Sequence, residues 1–249
     1  MCMSIFNMEP PMKSSDTLRQ LEQCYERYLP AEEKSYEAFI WFSRIPHPFL
    51  NAVMHLAPDG NMQSLIDRII RNAPSGLPYS FWVLRGPESA PIAAYLTKNG
   101  FSPALTCSLM RWNVGPVKAP DADIRTADLD IFNELLSSVF QFDETVKNGF
   151  LDFLKKGPCE NVLLYVDGRP VSTGTLIPCG YHGGIFNESF LPGDEAHGKT
   201  VIQYLMHRAS SLRMQQLVVL SAPDYEKIYL QLGFEKTGEL NLYIPSLNK

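Results

Sequence analysis

The 249-residue sequence predicts an α/β (α+β) protein of two related halves, each a mixed, mostly antiparallel sheet flanked by helices, and three observations carry that expectation. Residues 121–246 alternate strand and helix signals in the order β-α-α-β-β-β-α-β-α-β, in which antiparallel hairpins precede a single β-α-β crossover. Val83–Phe101 and Val219–Phe234 both read as strand, proline turn, short helix and Gly-Phe, the pattern of a duplicated unit. Between them, Val114–Asp123 holds one Gly, two Pro and three charges in ten residues, a linker composition that places domains at 1–117 and 121–249.

Each element follows from local chemistry. Ser15-Asp16 caps a helix whose apolar positions Leu18, Leu21, Tyr25 and Leu29 recur at three- and four-residue steps before Pro30. A second helix is expected over Glu33–Phe42, followed by an extended Ile45–Pro48, a strand over Phe49–Leu56, a helix over Met62–Arg71 and a strand over Tyr79–Leu84. In the second half come a strand at Ile124-Arg125, a Thr126-capped helix to Phe140 and a helix over Asp143–Lys156. Val162–Val166 and Val171–Ile177 flank Asp167-Gly168, a two-residue hairpin turn in which both positions accept positive φ. A strand over Gly184–Leu191 ends at Pro192-Gly193. A helix then starts near Gly198 with Val201, Ile202, Leu205, Ala209 and Leu212 on one face. Strand Leu217–Leu220, helix Asp224–Leu232 stopped by Gly233, and strand Phe234–Ile244 close the chain.

Composition excludes several classes. With 45% hydrophobic residues the chain is neither disordered nor fibrous, and no apolar run reaches the roughly 18 residues that cross a bilayer. Met1–Lys13 does not have the layout of a secretory leader, so a soluble cytoplasmic protein is expected. Cys2, Cys24, Cys107, Cys159 and Cys179 are odd in number and form no C-x-x-C pair, and His47, His55, His182, His197 and His207 form no H-E-x-x-H. Neither disulfides nor a metal site is therefore expected. The net charge of −5 divides into +1 over residues 1–118 and −6 over 119–249, which disfavours a nucleic-acid partner and favours a cationic small molecule or peptide.

Chemistry concentrates at the strand-to-helix junction Phe190–Thr200. A loop opening a helix there directs free N–H groups at one spot, and Gly198 permits either close approach of an anion or merely a tight turn. Glu195-Ala-His-Gly-Lys-Thr200 resembles motif A, [Q/R]-x-x-G-x-[G/A], of the GNAT superfamily of acetyl-CoA-dependent N-acetyltransferases, departing from it at Glu195 and Thr200. Tyr229-Leu-Gln-Leu-Gly-Phe234 is similar to the family's Y-x-x-x-G-F segment, and the likeness covers 121–246 in the family's element order. The first half resembles the partial domain of tandem members, through Pro48–Asn51, Trp82–Pro87 and Gly100-Phe101, and lacks motif A.

The resemblance implies acetyl transfer from acetyl-CoA to a primary amine by direct attack, in a cleft between two strands splayed by a bulge. It implies that Phe190 and Leu191 line the pantetheine arm and that the N–H groups of Ala196, His197, Gly198, Lys199 and Thr200 hold the pyrophosphate, with Lys199 pairing a phosphate. Tyr229 is the expected acid for the departing thiolate and Glu188 the expected base for the amine; a packing tyrosine and a solvated strand carboxylate are the alternatives. Glu195 beside a phosphate costs about 3 kcal/mol at an effective dielectric of about 20 and under about 1 kcal/mol if fully solvated. The competing function is a GNAT-fold protein that has lost catalysis and binds a ligand or partner in the same cleft.

Overall fold

The computed structural model describes residues 14–28, 30–34, 38–191 and 193–246. Helix α1 (Ser14–Tyr28) precedes β1 (Glu33–Lys34), β2 (Phe39–Phe42), a 3-10 turn, β3 (Asn51–Met54), α2 (Met62–Asn72), β4 (Ser80–Leu84), α3 (Ala90–Lys98) and β5 (Phe101–Asn113). The second half runs β6 (Asp123–Thr126), α4 (Leu129–Phe140), α5 (Glu144–Leu154), β7 (Glu160–Val166), β8 (Arg169–Cys179), β9 (His182–Phe190), α6 (Glu195–Ser211), β10 (Gln216–Ser221), α7 (Pro223–Gln231) and β11 (Glu235–Pro245). Leu29, Pro192 and Met1–Lys13, which entered the expectations above, lie outside the described residues.

All eleven strands form one mixed sheet, in the order β1-β2-β3-β4-β11-β5-β10-β9-β8-β7-β6. The halves are joined by exchange of their last strands. β11 lies between β4 and β5, and β5 lies between β11 and β10, all antiparallel. Outward from the central β5–β11 pair, each side continues through one parallel contact, β3 with β4 and β9 with β10, and then an antiparallel one. The two strand–helix–Gly-Phe–strand segments noticed in the sequence thus occupy corresponding places on either side of that pair. Helices α1, α4 and α5 bury one face of the sheet with Leu21, Phe132 and Phe150; α2 and α3 at one end and α6 and α7 at the other cover the opposite face.

Within the helix expected over Glu33–Phe42, Glu33–Lys34 and Phe39–Phe42 are instead strands β1 and β2, and 35–37 lie outside the described residues. Phe39 and Trp41 face the α1 side while Ile40 and Phe42 face α2. A run of four buried residues therefore serves both faces of a sandwiched strand, and tertiary burial overrides the helical spacing. The Asp167-Gly168 turn has φ of 51° and 74°, as that hairpin type demands. Asp128, not Thr126, caps α4, because its carboxylate reaches the Asp130 and Ile131 N–H groups at 3.0 and 3.2 Å. Leu212 ends α6 exposed rather than on its buried face. Among the described residues no helix is long and apolar enough to cross a membrane.

Strand exchange makes each half incomplete alone, since without β11 both β4 and β5 expose an unpaired edge. Residues 1–118 and 119–249 produced separately are expected to lack a cooperative urea transition, and mixing them is expected to restore one. A monomeric half that unfolds cooperatively would contradict this.

Candidate active site

The site begins with a backbone irregularity in β9. Thr175 pairs with Phe186 and Thr173 with Ser189, so that Asn187 and Glu188 together oppose Gly174. Asn187 takes a φ of 55°, which Asn tolerates better than most side chains. A buried network locks this bulge. Thr173 Oγ1 donates to the Asn187 carbonyl at 2.6 Å, Asn187 Nδ2 donates to Thr175 Oγ1 at 3.0 Å, and Thr175 Oγ1 donates to Asn161 Oδ1 at 2.6 Å. The bulge bends β9 away from β10. Their parallel pairing covers Gln216–Val218 against His182–Gly184 and goes no further.

The resulting wedge connects the two faces of the sheet. From the α7 side, the wholly buried Tyr229 donates its phenol to Glu188 Oε1 at 2.7 Å. On the other side, Glu188 lines a cavity of about 350 Å³ under α1, α4 and α5. Both halves build its walls: Tyr25, Phe49, Trp82 and Leu105 from the first, and Leu136, Phe142, Phe150 and Phe186 from the second. His47, Asn187 and Tyr225 add polar atoms, and no lysine or arginine lines it among the described residues. The segment carrying His47 is held by buried Asn51, whose amide donates to the carbonyls of Ile45, His47 and Pro78 at 2.7, 3.0 and 2.8 Å.

Burial pushes the Glu188 carboxyl up to about 7, against the opposing pull of the Tyr229 phenol and a backbone hydrogen bond. Burial, and then the Glu188 charge, hold the Tyr229 proton far above its usual range. Tyr225, one turn earlier on α7, is the phenol that faces the cavity. Its ring lies 4.6 Å from that of Phe190, and its oxygen is within reach of the Phe190 N–H, inside the wedge. Burial raises its proton affinity as well. His47 is lowered by burial and accepts from the Phe49 N–H through Nδ1, which leaves the ring neutral near pH 7.

At the junction, helix α6 opens at Glu195, three residues before the expected start. The Asp194 and His197 N–H groups donate to the Leu191 and Asp194 carbonyls at 3.0 and 2.9 Å, which leaves those of Glu195 and Ala196 as the leading donors, while the N–H groups of Gly198, Lys199 and Thr200 fall within the helical ladder, past the position where an anion meets free donors. The Thr200 hydroxyl donates to the Ala196 carbonyl at 2.8 Å, and Lys199 Nζ lies 3.4 Å from Gln231 Oε1. Gly198 has a packing reason: a Cβ there would lie 2.2 Å from the Phe190 ring. Phe190 is itself buried and Leu191 is 44% exposed. Glu195 is exposed, which puts its repulsion of a phosphate at the solvated end of the range, under about 1 kcal/mol. Beyond Gly184 and Val218 β9 and β10 no longer pair, whereas the helix start offers N–H groups next to two acids, Asp194 and Glu195.

Sequence reasoning located Glu188 and Tyr229, which the fold brings into contact from 41 residues apart. It missed Tyr225, although the i, i+4 spacing to Tyr229 on one short helix was a usable signal. It also missed the cavity, whose lining residues are scattered from Tyr25 to Leu242.

No family model matches the sequence, and no curated protein matches it. Solved structures do. A GCN5-related N-acetyltransferase from Kribbella flavida superposes with a TM-score of 0.66 at 14% identity, over 95% of this chain and 96% of that one. One from Sphaerobacter thermophilus gives 0.62 at 12%, over 96% of each chain. A GNAT-family acetyltransferase from Colwellia psychrerythraea gives 0.53 at 11%, over 94% and 98%.

If the α6 start receives an anion, Glu195→Gln should tighten acetyl-CoA binding by about threefold at low ionic strength, and the gain should vanish in high salt. Calorimetry at two salt concentrations measures this, and an unchanged affinity at low salt would remove Glu195 from the site. At identities this low the likeness is one of architecture, and the chain has the GNAT fold.

Proposed function

We propose that the protein is an acetyl-CoA-dependent N-acetyltransferase whose acceptor is a primary amine on an apolar, ring-sized body. The observation that carries this reading is the Tyr229-bonded Glu188 carboxylate, set in the gap between two diverging parallel strands and facing an aromatic-walled cavity. The fold supports acyl transfer in general; the residues of the wedge supply the particular chemistry.

In this reading the thioester arm enters between β9 and β10 from the α6–α7 side, along Phe190 and Leu191. Tyr225 must then turn off the Phe190 N–H, freeing that donor for the arm. The amine comes from the cavity. Glu188 takes a proton from the incoming ammonium, directly or through one water, and the neutral nitrogen attacks the thioester carbonyl. A carboxylate poised near 7 is a stronger base than a solvated one and about half ionised at neutral pH. The departing sulfur takes its proton from a phenol, and the phenol is restored by the proton that the nitrogen sheds as the amide forms. Tyr225 faces the cavity, while Tyr229 reaches the site through its bond to Glu188 and positions that carboxylate.

The cavity revises the acceptor. A polyamine or aminoglycoside would desolvate several charges and hydroxyls against Phe, Leu and Trp side chains, with one carboxylate to answer them. One amine on an aromatic or branched aliphatic body matches one carboxylate in an apolar wall. Neither a membrane nor a nucleic-acid partner enters this reading, and the cytoplasm remains its proposed compartment. A catalytically silent binding protein would use the same cavity without thiol release.

The test is acetyl-CoA-dependent thiol release over a panel of amines. Arylalkylamines and branched alkylamines should turn over, with kcat/KM at least tenfold above spermidine; release with none of them would support the silent alternative. With a working amine, kcat/KM should rise with pH through a limb near 7 as Glu188 loses its proton, and Glu188→Gln should abolish that limb and lower kcat by about 100-fold or more. Tyr229→Phe removes the bond that lowers the Glu188 pKa, so its limb should move to higher pH, whereas Tyr225→Phe should reduce kcat and leave the limb in place. A limb unmoved in Tyr229→Phe would overturn the positioning role.

A further inference from the structure

We propose that Cys24, Cys179 and His182 form a binding site for a thiophilic metal ion, zinc foremost, which ties helix α1 to the β8–β9 hairpin. This site is separate from the proposed transferase chemistry and does not depend on it. The ligand atoms of the three residues all lie within 4.8 Å of one another, with the two sulfurs 3.3 Å apart. A tetrahedral ion with Zn–S of about 2.3 Å and Zn–N of about 2.0 Å needs S···S near 3.8 Å and S···N near 3.5 Å, so small side-chain adjustments suffice.

The backbone arranges the three groups. Cys179 and His182 are cross-strand partners on either side of the Gly180-Tyr181 turn, where Gly180 has a φ of 72°. Register therefore places a thiol and an imidazole next to each other at the end of the hairpin. Cys24 comes down from α1, fully buried. Its sulfur sits over Gly184, where a Cβ would approach it to 3.0 Å.

His182 supplies a second, independent observation. Its Nε2 is buried with no hydrogen-bond partner, and the Gln20 carbonyl lies close to the ring. A buried polar nitrogen without a partner costs about 1–3 kcal/mol, and a metal bond would remove that cost. Orientation of a ligand imidazole by a backbone carbonyl is the usual outer-shell arrangement of metal-binding histidines. A Cys24–Cys179 disulfide would use both sulfurs and leave the imidazole unanswered, so the histidine favours the ion. On binding, each thiol releases its proton to solvent. Two thiolates then balance the divalent charge, and the fourth position is left to water.

Cobalt(II) titration of the full chain, stripped with chelator and kept under a phosphine reductant, tests the site. One equivalent should produce a thiolate-to-cobalt charge-transfer band and the intense visible bands of tetrahedral cobalt, and zinc should bleach both. Cys179→Ser and His182→Ala, both on the half-buried hairpin end, should each weaken binding at least 100-fold, and Cys159→Ser should not change it. Circular dichroism of the metal-free variants separates lost binding from lost folding, and zinc should raise the melting temperature of the parent chain but not of these two variants. Absence of the thiolate band at saturating cobalt, or its persistence in folded Cys179→Ser and His182→Ala, would overturn the proposal.

Discussion

The two-for-one bulge at Asn187-Glu188 is the constraint on which the rest of the molecule depends. Without it β9 would stay paired with β10 along its whole length, and the sheet would be a closed wall between two helical layers. The Thr173–Asn187–Thr175–Asn161 network keeps the extra residue in place, and each buried bond of that network costs about 1–3 kcal/mol to break in favour of a regular ladder. Once β9 turns away, a carboxylate on the bulge is exposed to both layers. That is how Glu188 meets Tyr229 from α7 and the aromatic cavity from the α1 side.

Strand exchange supplies the other half of the geometry. Because β5 and β11 each complete the partner half, Trp82, Leu105 and Leu242 are brought under α1 and alongside Phe186 from the second half. The first half has no motif A and needs none to contribute. Its loop 44–50, fastened through Asn51, and its helix α1 close the cavity that the second half leaves open. A cavity at the joint between two similar units is where apolar ligands are commonly bound.

What could be read in the sequence follows the range of the interactions. The Asp167-Gly168 hairpin, the α6 and α7 helices and the Gly-Phe turns rest on contacts a few residues long, and they lie within three residues of expectation. β2 was misread because Phe39–Phe42 satisfies a helical face in isolation, and only two helical layers, one on each side, make it a strand. The order of the sheet was not legible, since pairing β11 with β4 joins residues 156 to 162 positions apart by a choice no local pattern encodes. Of the site, Glu188 and Tyr229 were legible through family likeness and register. Gly198 was legible as a necessary glycine, but the reason lies in the Phe190 ring, which no spacing rule reveals.

The electrostatics of the wedge bear on how an acid-bearing helix start is compatible with the proposed transferase reading. The terminus of α6 is worth about 0.3–1 kcal/mol to an anion, and an exposed Glu195 takes back under about 1 kcal/mol, so the two nearly cancel. Recognition of a thioester cosubstrate in the proposed reading then falls to the strand edges, where Phe190 N–H and its neighbours offer backbone partners once Tyr225 leaves. Those partners are insensitive to salt and indifferent to the phosphates. Departure of Tyr225 from Phe190 would couple arm binding to the cavity it lines, because the same ring forms part of the cavity wall. In the proposed reading one side chain thus links the two openings of the wedge, and the order in which cosubstrate and amine bind would be a property of its rotation.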